Sequence, residues 1–487
     1  MKRCILWYLP LVYGIFFFLG SFLQLRYFVL NDWDFSYFLT QPWRIAQGLD
    51  WDVPFAREVD GAPFWAHHFT PLSFFLAFLL RLFPSEYTLS FLHAGSVTAV
   101  AFLLPRLTRE IYGKDADSSR WLWGACCLLL IFFLYRPYIS AWSRQTHYTT
   151  LVSPFLALAL LCLHKGWRTG AVLCALVVCL GQERASVAVF GLGMYAALLL
   201  REKKLGLAFC ALSTLWFFGA TQLLLPLLRA HAGAASTTYI MAGRLDIMAC
   251  WPQKIGYLLW LCVFSCFLPF CGKKALLCAS CALPNIAMSL VSNTTGMYDL
   301  KGQYEDLPAI FLLLSMAYGL HQLQTLLPAR QWRRLFAGGT CLYWLAILTS
   351  TSGWYTAPVT CGRLLTAPGR AALETLNKEI APLQAELPPN IVLYAQTGLG
   401  PRVSFHANRR LLHSDILLQP LHNTIIALSP LCGSFQLNTS VANAIHLADG
   451  HKDLVLLHGS KQLRVYASKD VPATWPELAR RFGAQAY

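Results

Sequence analysis

The feature that most constrains this chain is the recurrence of apolar runs close to 20 residues long, separated by short polar segments. A helix needs about 20 such residues to cross the hydrocarbon of a bilayer, within a range of roughly 17–25. Stretches that approach this length fall at 4–24, 87–105, 121–135, 149–164, 169–181, 185–200, 205–227, 256–271, 275–292, 305–320 and 335–351. In lipid every backbone polar group must be satisfied internally, so such runs become helices. The pattern predicts an α-helical polytopic membrane protein with about 11 transmembrane helices. The short pair 169–181 and 185–200 is also compatible with a re-entrant hairpin, which leaves the parity unchanged.

Composition agrees. Only 13% of residues are charged and 56% are hydrophobic, where soluble domains carry about 25% charged residues. An ordinary soluble enzyme and a disordered chain are both excluded. The formal net charge of +15 would suggest nucleic acid on a soluble protein. Here Lys and Arg gather between apolar runs, at Lys2–Arg3, Arg106 to Arg120, Lys165/Arg168, Arg201 to Lys204, Lys273–Lys274 and Arg330 to Arg334. With Met1 in the cytoplasm all of these fall in cytoplasmic loops, as the positive-inside rule requires, and no nucleic-acid partner is needed. The start, basic and then apolar for about 20 residues without an A-x-A-like end, reads as a retained first span and not a cleaved signal.

This orientation puts two large pieces outside the cytoplasm. The first is the loop 25–86. The second is the tail 352–487, which follows a membrane domain of residues 1–351. In the tail, Gly369–Gln384 has helical periodicity, and Asn390–Ala395, Leu454–Leu457 and Leu463–Ala467 read as short buried strands. That mixture predicts a small C-terminal extracytoplasmic α/β domain. Most of the 16 Cys lie in apolar runs, where thiols behave as small hydrophobes. Cys361 and Cys432 fall in the tail, where an oxidising compartment would let them pair.

Candidate chemistry concentrates on the external face. Asn31 or Asp32 can cap a helix that begins near Trp33. It would carry Phe35, Phe38, Leu39 and Trp43 on one stripe and lie flat in the interface. Asp34 is then either a helix-dipole charge or a general base at the water–membrane boundary. His67 and His68 are either interface residues or, with the two carboxylates, ligands for a divalent ion such as Mg or Mn. Gln182–Glu183–Arg184 is either a solvated hairpin tip or a charged group kept at the mouth of the bundle. Arg144 and His147, and Asp299, Lys301, Gln303 and Tyr304, precede spans on the same side. No P-loop, GxGxxG, G-x-S-x-G or H-E-x-x-H motif is present, which argues against nucleotide-driven transport.

Asp34, Gln41, Trp43 and Gly48, followed by His68-Phe69-Thr70-Pro71, resemble the first external loop of an uncharacterised bacterial family of polytopic membrane proteins. Glu183, Ala395-Gln396, Val403-Ser404, Arg409–Arg410 and Asp453–Leu457 resemble its later segments. That family is in turn similar to the GT-C glycosyltransferases, multi-span enzymes that use a polyprenyl-phosphate sugar. The resemblance implies a GT-C-like fold in the bacterial inner membrane. It also implies a hexosyl or pentosyl donor on a polyprenyl phosphate, with Asp34 as catalytic base and Asp32 as second choice. Gln41, His67, His68 and Glu183 would line the donor or acceptor site. Arg144, Arg184 and Lys301 are candidates for the leaving phosphate. Gln303–Tyr304 stands where the pattern expects a His-Tyr pair. A lipid or solute transporter and a non-catalytic membrane scaffold are the competing readings; the near absence of Asp and Glu from the spans weighs against the first.

Overall fold

The computed structural model describes residues 4–30, 33–51, 53, 63–113, 119–144, 147–231, 248–292, 304–349, 363, 366–385, 387–433, 437, 439–471 and 475–482. All eleven apolar runs are helical. Among the described residues four single helices are long and apolar enough to span a bilayer: Ile5–Arg26, Tyr87–Tyr112, Lys203–His231 and Asp306–Leu326. Two bent pairs bring the number to six: Arg120–Phe133 with Arg136–Ser143 at 44°, and Lys273–Ser280 with Leu283–Val291 at 49°. Tyr148–His164 and Arg168–Gly181 are shorter. Both match the short apolar runs 149–164 and 169–181. Pro at the start of Leu283–Val291 removes a backbone donor, which accounts for the break there.

The chain divides into two compact units. The first comprises residues 1–19, 65–72 and 91–354, and the second comprises 20–64, 73–90 and 355–487. Residues 20–64 and 73–90 thus join the tail residues in one unit.

In the first unit the helix Asp306–Leu326 is the central element, with 72% of its most apolar window buried, against 22% for Lys203–His231. Phe17, Val97, Leu156, Val189 and Ile310 pack in its core. Helices Ser186–Leu198 and Lys203–Phe218 cross at paired glycines. A Cβ on Gly193 would fall 2.6 Å from the Gly206 carbonyl oxygen, and one on Gly206 would fall 2.6 Å from the Gly193 oxygen. Small residues at such crossings let membrane helices approach backbone to backbone. Gly206→Leu must push the helices apart, at a cost of about 1–3 kcal/mol or more. Its melting midpoint in detergent should fall by several degrees; an unchanged midpoint would refute the close crossing.

The second unit is built on a five-stranded sheet in the order β2-β1-β3-β5-β4. The strands are β1 (Val392–Ala395), β2 (Arg409–Leu411), β3 (Thr424–Leu428), β4 (Leu454–Gly459) and β5 (Arg464–Ser468). β2, β1 and β3 run parallel; β5 pairs antiparallel with β3 and β4. Successive side chains point to opposite faces. Leu393, Ile425 and Val465 pack against Leu373 and Leu376 of the helix Ala367–Glu379, and Phe28 joins this face. Tyr394, Ile426 and Tyr466 pack against Ala444 and Ala448 of the helix Val441–Asp449. The C-terminal α/β expectation therefore holds, with two strands more than the sequence reading named. β3 is a continuous buried run, a recognisable signal. β2 is Arg-Arg-Leu and carries none.

The helix Trp33–Ala46 does not carry a single apolar stripe on a wet helix. Ser36, Tyr37, Thr40 and Gln41 are buried along with Phe35, Phe38 and Leu39. It packs on the segment 404–407. Thr40 Oγ1 donates to the Ser404 carbonyl at 3.4 Å, Trp43 stacks on Phe405 at 5.6 Å, and the buried Arg44 donates to the Ala407 carbonyl and pairs with Asp50. Protein covers both of its faces, so the single apolar stripe read from the sequence is corrected. The proposed cap, Asn31 or Asp32, lies outside the described residues.

Next to that segment, His406 is buried and its Nε2–H donates to the Leu383 carbonyl. Burial pushes the imidazole down to about 4. The unfolded chain therefore binds a proton that the folded state refuses. Stability is fully present above about 6.5 and is lost as pH falls from there toward 4, on the order of 3 kcal/mol. The melting midpoint should decline over that interval, and His406→Gln should flatten the decline. An equal slope in both proteins would contradict the assignment.

Candidate functional site: a buried acid, histidine and arginine cluster

The helix Arg168–Gly181 ends where Gln182 takes an extended backbone, with φ −166° and ψ 156°. A single 3-10 turn, Glu183–Ala185, then starts the helix Ser186–Leu198, and Ser186 Oγ donates back to the Glu183 carbonyl at 2.7 Å. This puts three consecutive polar side chains at a helix junction. They are buried: Gln182 is 3%, Glu183 0% and Arg184 6% exposed. The solvated-tip reading of Gln182–Glu183–Arg184 is thereby excluded.

A carboxylate in such a place must be satisfied by donors, because its desolvation costs several kcal/mol. Glu183 Oε2 accepts from the Phe69 backbone N–H at 2.9 Å, and Oε1 lies 3.0 Å from His68 Nδ1. The Gln182 amide nitrogen also sits 2.9 Å from His68 Nδ1, and its oxygen 3.4 Å from His147 Nδ1. A carboxylate only accepts, so His68 Nδ1 carries the proton and cannot also accept from Gln182. Turning the amide over resolves the conflict. Its oxygen then faces His68 Nδ1–H and its nitrogen donates to His147 Nδ1. His93 Nε2 donates in turn to the His147 carbonyl at 3.0 Å.

Arg184 continues the network on its other side. Its guanidinium lies 4.3 Å from the Tyr304 ring centroid, and Nη2 donates to the Tyr304 carbonyl at 3.1 Å and Ser289 Oγ at 3.2 Å. The Tyr257 hydroxyl lies beside Ser289 and Glu305. Asp306 accepts from Thr150 Oγ1 at 2.9 Å and from the Leu307 N–H at 2.8 Å. Arg229 Nε donates to the Ala66 carbonyl at 2.9 Å and Nη2 to His67 Nδ1 at 3.4 Å, which leaves the His67 proton on Nε2. Among the described residues of this unit the buried charges are Glu183, Glu305 and Asp306 against Arg184, Arg229 and Lys254. Chemically the cluster offers cations and imidazoles to an anion and a carboxylate–imidazole pair to a hydroxyl.

Of the residues singled out from the sequence, His67, His68, Glu183, Arg184 and Tyr304 are held in the first unit. His68 bonds Glu183, His67 bonds Arg229, and Arg184 stacks on Tyr304. Gln41 is buried in the second unit. Asp34 lies in the first turn of the helix Trp33–Ala46, and Arg144 ends the helix Arg136–Arg144. Asp32, Lys301 and Gln303 fall outside the described residues, as does Cys361. Cys432 is buried, and burial pushes its thiol up to about 12. Among the described residues no three His, Cys, Asp or Glu side chains converge as metal ligands. Glu305, Asp306, Arg229, Tyr257 and Ser289 were not anticipated. The adjacent acids Glu305–Asp306 at the head of an apolar run were the available signal.

In the second unit the fully buried Arg409 of β2 reaches the helix that carries Asp34. A Cβ on Gly400 would fall 2.3 Å from Arg409 Nη2 and 3.2 Å from Ser36 Oγ, so the guanidinium packs on bare backbone beside that helix. Burial pushes the guanidinium down to about 9, opposed by the neighbouring Tyr37 hydroxyl.

A family profile described as "Predicted membrane protein (DUF2079)" matches residues 24–423. Comparison with curated protein sequences finds no match. Among solved structures, the crystal structure of ArnT from Cupriavidus metallidurans bound to undecaprenyl phosphate is similar over 93% of this chain and 97% of that chain. The identity is 13% and the TM-score 0.46.

Proposed function

The chain belongs to the DUF2079 family of predicted membrane proteins, and we propose that this member is a membrane glycosyltransferase that moves a sugar from a polyprenyl-phosphate donor to an acceptor on the extracytoplasmic side. The observation that carries the reading is the bonding of His68-Phe69 to Glu183 inside a buried cluster of charged and polar groups. These are two of the segments that carry the sequence resemblance to the bacterial membrane-protein family that is in turn similar to GT-C enzymes. A cluster of this kind is costly in an apolar bundle and is kept where charged or polar ligands are handled.

The transfer follows from the chemistry of the groups. Asp34, on the helix Trp33–Ala46, takes the proton of the acceptor hydroxyl. The acceptor oxygen bonds to the anomeric carbon as the bond from that carbon to the phosphate oxygen breaks. The departing polyprenyl phosphate is stabilised by cationic groups, with the Arg184 guanidinium the foremost candidate and the Arg144 guanidinium and Lys301 ammonium as others. Asp32 is the reserve base; the sequence resemblance assigns Gln41, His67 and His68 to binding of donor or acceptor. The inner membrane is the compartment, with the N-terminus cytoplasmic and the tail outside.

The two bent helix pairs favour a second reading, a lipid or solute transporter, because broken spans mark many transport sites. One assay separates the two. The full chain in nanodiscs is incubated with radiolabelled polyprenyl-phosphate sugars and a membrane extract as acceptor, with and without a chelator. Label reaching the acceptor supports transfer and names the donor, and its loss with chelator assigns a divalent ion, Mg or Mn. Donor binding without transfer supports transport. Neither binding nor transfer over the whole panel overturns the proposal and turns attention to partners of the tail.

A further inference from the structure

The helix Leu72–Leu82, which from Ser73 belongs to the second unit, is apolar on both sides. Ser73, Leu76, Ala77 and Leu80 are buried against protein. Phe74, Phe75, Phe78 and Leu82 fall on the other side, within an arc of about 100° at 3.6 residues per turn. All four are exposed, Phe75 and Phe78 each to 57%. Phe83 follows at 63%, and the half-exposed Trp51 meets the Phe74 ring edge-on at 4.9 Å. The one charge in the helix is Arg81, in its last turn. A hydrogen-bonded corner then joins it to the head of Tyr87–Tyr112, which is long and apolar enough to span a bilayer. The Phe83 carbonyl accepts from Thr88 Oγ1 and from the Ser85 N–H, each at 2.8 Å. Ser85 Oγ accepts from the Tyr87 N–H at 3.2 Å, and the Ser85 carbonyl from the Thr88 N–H at 3.0 Å.

We propose that the face formed by Phe74, Phe75, Phe78 and Leu82 docks into the bilayer surface, at the boundary of headgroups and acyl chains where Tyr87–Tyr112 begins. Single apolar side chains scattered on a surface are ordinary, but a contiguous row of large aromatic ones marks an interaction site. The 11 residues of the helix reach about 16 Å, roughly half of a 30 Å hydrocarbon core, so it lies along the membrane and does not cross it. Lipid is the occupant because of the corner. Residues 83–86 are the whole connection to Tyr87, and their hydrogen bonds hold the helix at the end of a span. A second copy of the chain is the poorer fit. The face is about 16 Å long and 10 Å across, far below the roughly 800 Å² per partner of a stable interface. Arg81 stands at the flank of the arc, where its stem can follow the apolar face while the guanidinium reaches the headgroups.

The test places the full chain in phosphatidylcholine nanodiscs doped with a phosphatidylcholine that carries a diazirine on its acyl chain. After irradiation the labelled residues are mapped by peptide mass spectrometry. Wild type is expected to carry label on Phe74, Phe75, Phe78 and Leu82 to the same order as on Leu11, Ile15 and Leu19, exposed residues of the span Ile5–Arg26. Leu76 and Leu80 should carry about tenfold less, because close packing keeps lipid away from them. In a second measurement p-benzoyl-phenylalanine stands in place of Phe75 or Phe78, one at a time. Each protein is expected to cross-link to lipid, read as the gain of one lipid in intact mass. Labelled spans beside an unlabelled face overturn the proposal, as does equal label on the buried and exposed sides. So does cross-linking of either position to a second copy of the chain or to residues 52–62 of the same chain. The wild-type map decides if the replaced proteins do not fold.

Discussion

Asp34→Asn is expected to lower sugar transfer by about 10²–10⁴-fold while donor binding changes little. The amide keeps the size and hydrogen-bonding reach of the carboxylate but cannot take the acceptor proton. The folded protein should survive the change. The helix Trp33–Ala46 is held by Phe35, Phe38 and Leu39 in the core and by Thr40, Trp43 and Arg44 on the segment 404–407. None of those contacts uses the replaced atom. Transfer rates and donor affinity are measured together on both proteins. Full activity in the Asn variant would remove Asp34 as base and move the role to Asp32. Loss of donor binding in step with transfer would make Asp34 a binding residue.

Glu183→Ala carries the largest expected stability effect. The wild-type carboxylate accepts the Phe69 N–H and faces His68 Nδ1–H, both inside the protein. Truncation strands those two donors inside the protein. Removing one partner of a buried charged group costs about 3–5 kcal/mol. Glu183→Gln keeps the acceptor oxygen and a similar volume, so it should cost less. The melting midpoints should fall in the order wild type, Gln, Ala. If the Ala protein melts with wild type, Glu183 is not the anchor of this cluster. If Gln melts with wild type yet transfers slowly, the charge serves catalysis and not folding.

The particular successes and failures of the sequence reading have one logic. The apolar runs at 4–24, 87–105 and 305–320 became the helices Ile5–Arg26, Tyr87–Tyr112 and Asp306–Leu326. Run length and period are local quantities, and so is the strand pattern of Leu454–Leu457. Gln182–Glu183–Arg184 was ambiguous for the opposite reason. A polar triplet between apolar runs looks the same whether it meets water or partners. Its burial depends on Phe69, 114 residues earlier than Glu183, and on Tyr304, 120 residues later than Arg184. Likewise nothing in Trp33–Ala46 announces that residues 404–407 cover it, so only its apolar stripe is legible in the sequence. β2, with two arginines in three residues, forms because β1 offers a parallel partner and not because its own residues favour a strand.

The sequence by itself determined that this is a membrane chain, where its helices run, that a small α/β domain follows them, and which polar residues were worth watching. Burial of apolar surface dictates those features residue by residue. Only the tertiary structure decided that His68 and Glu183 bond each other, that Arg184 lies on Tyr304, that Glu305 and Asp306 stay inside, and that the helix bearing Asp34 is packed by the tail. Those are pairings between distant segments. Their free energy comes from satisfying desolvated charges at close range, and a linear pattern does not specify which partners will meet.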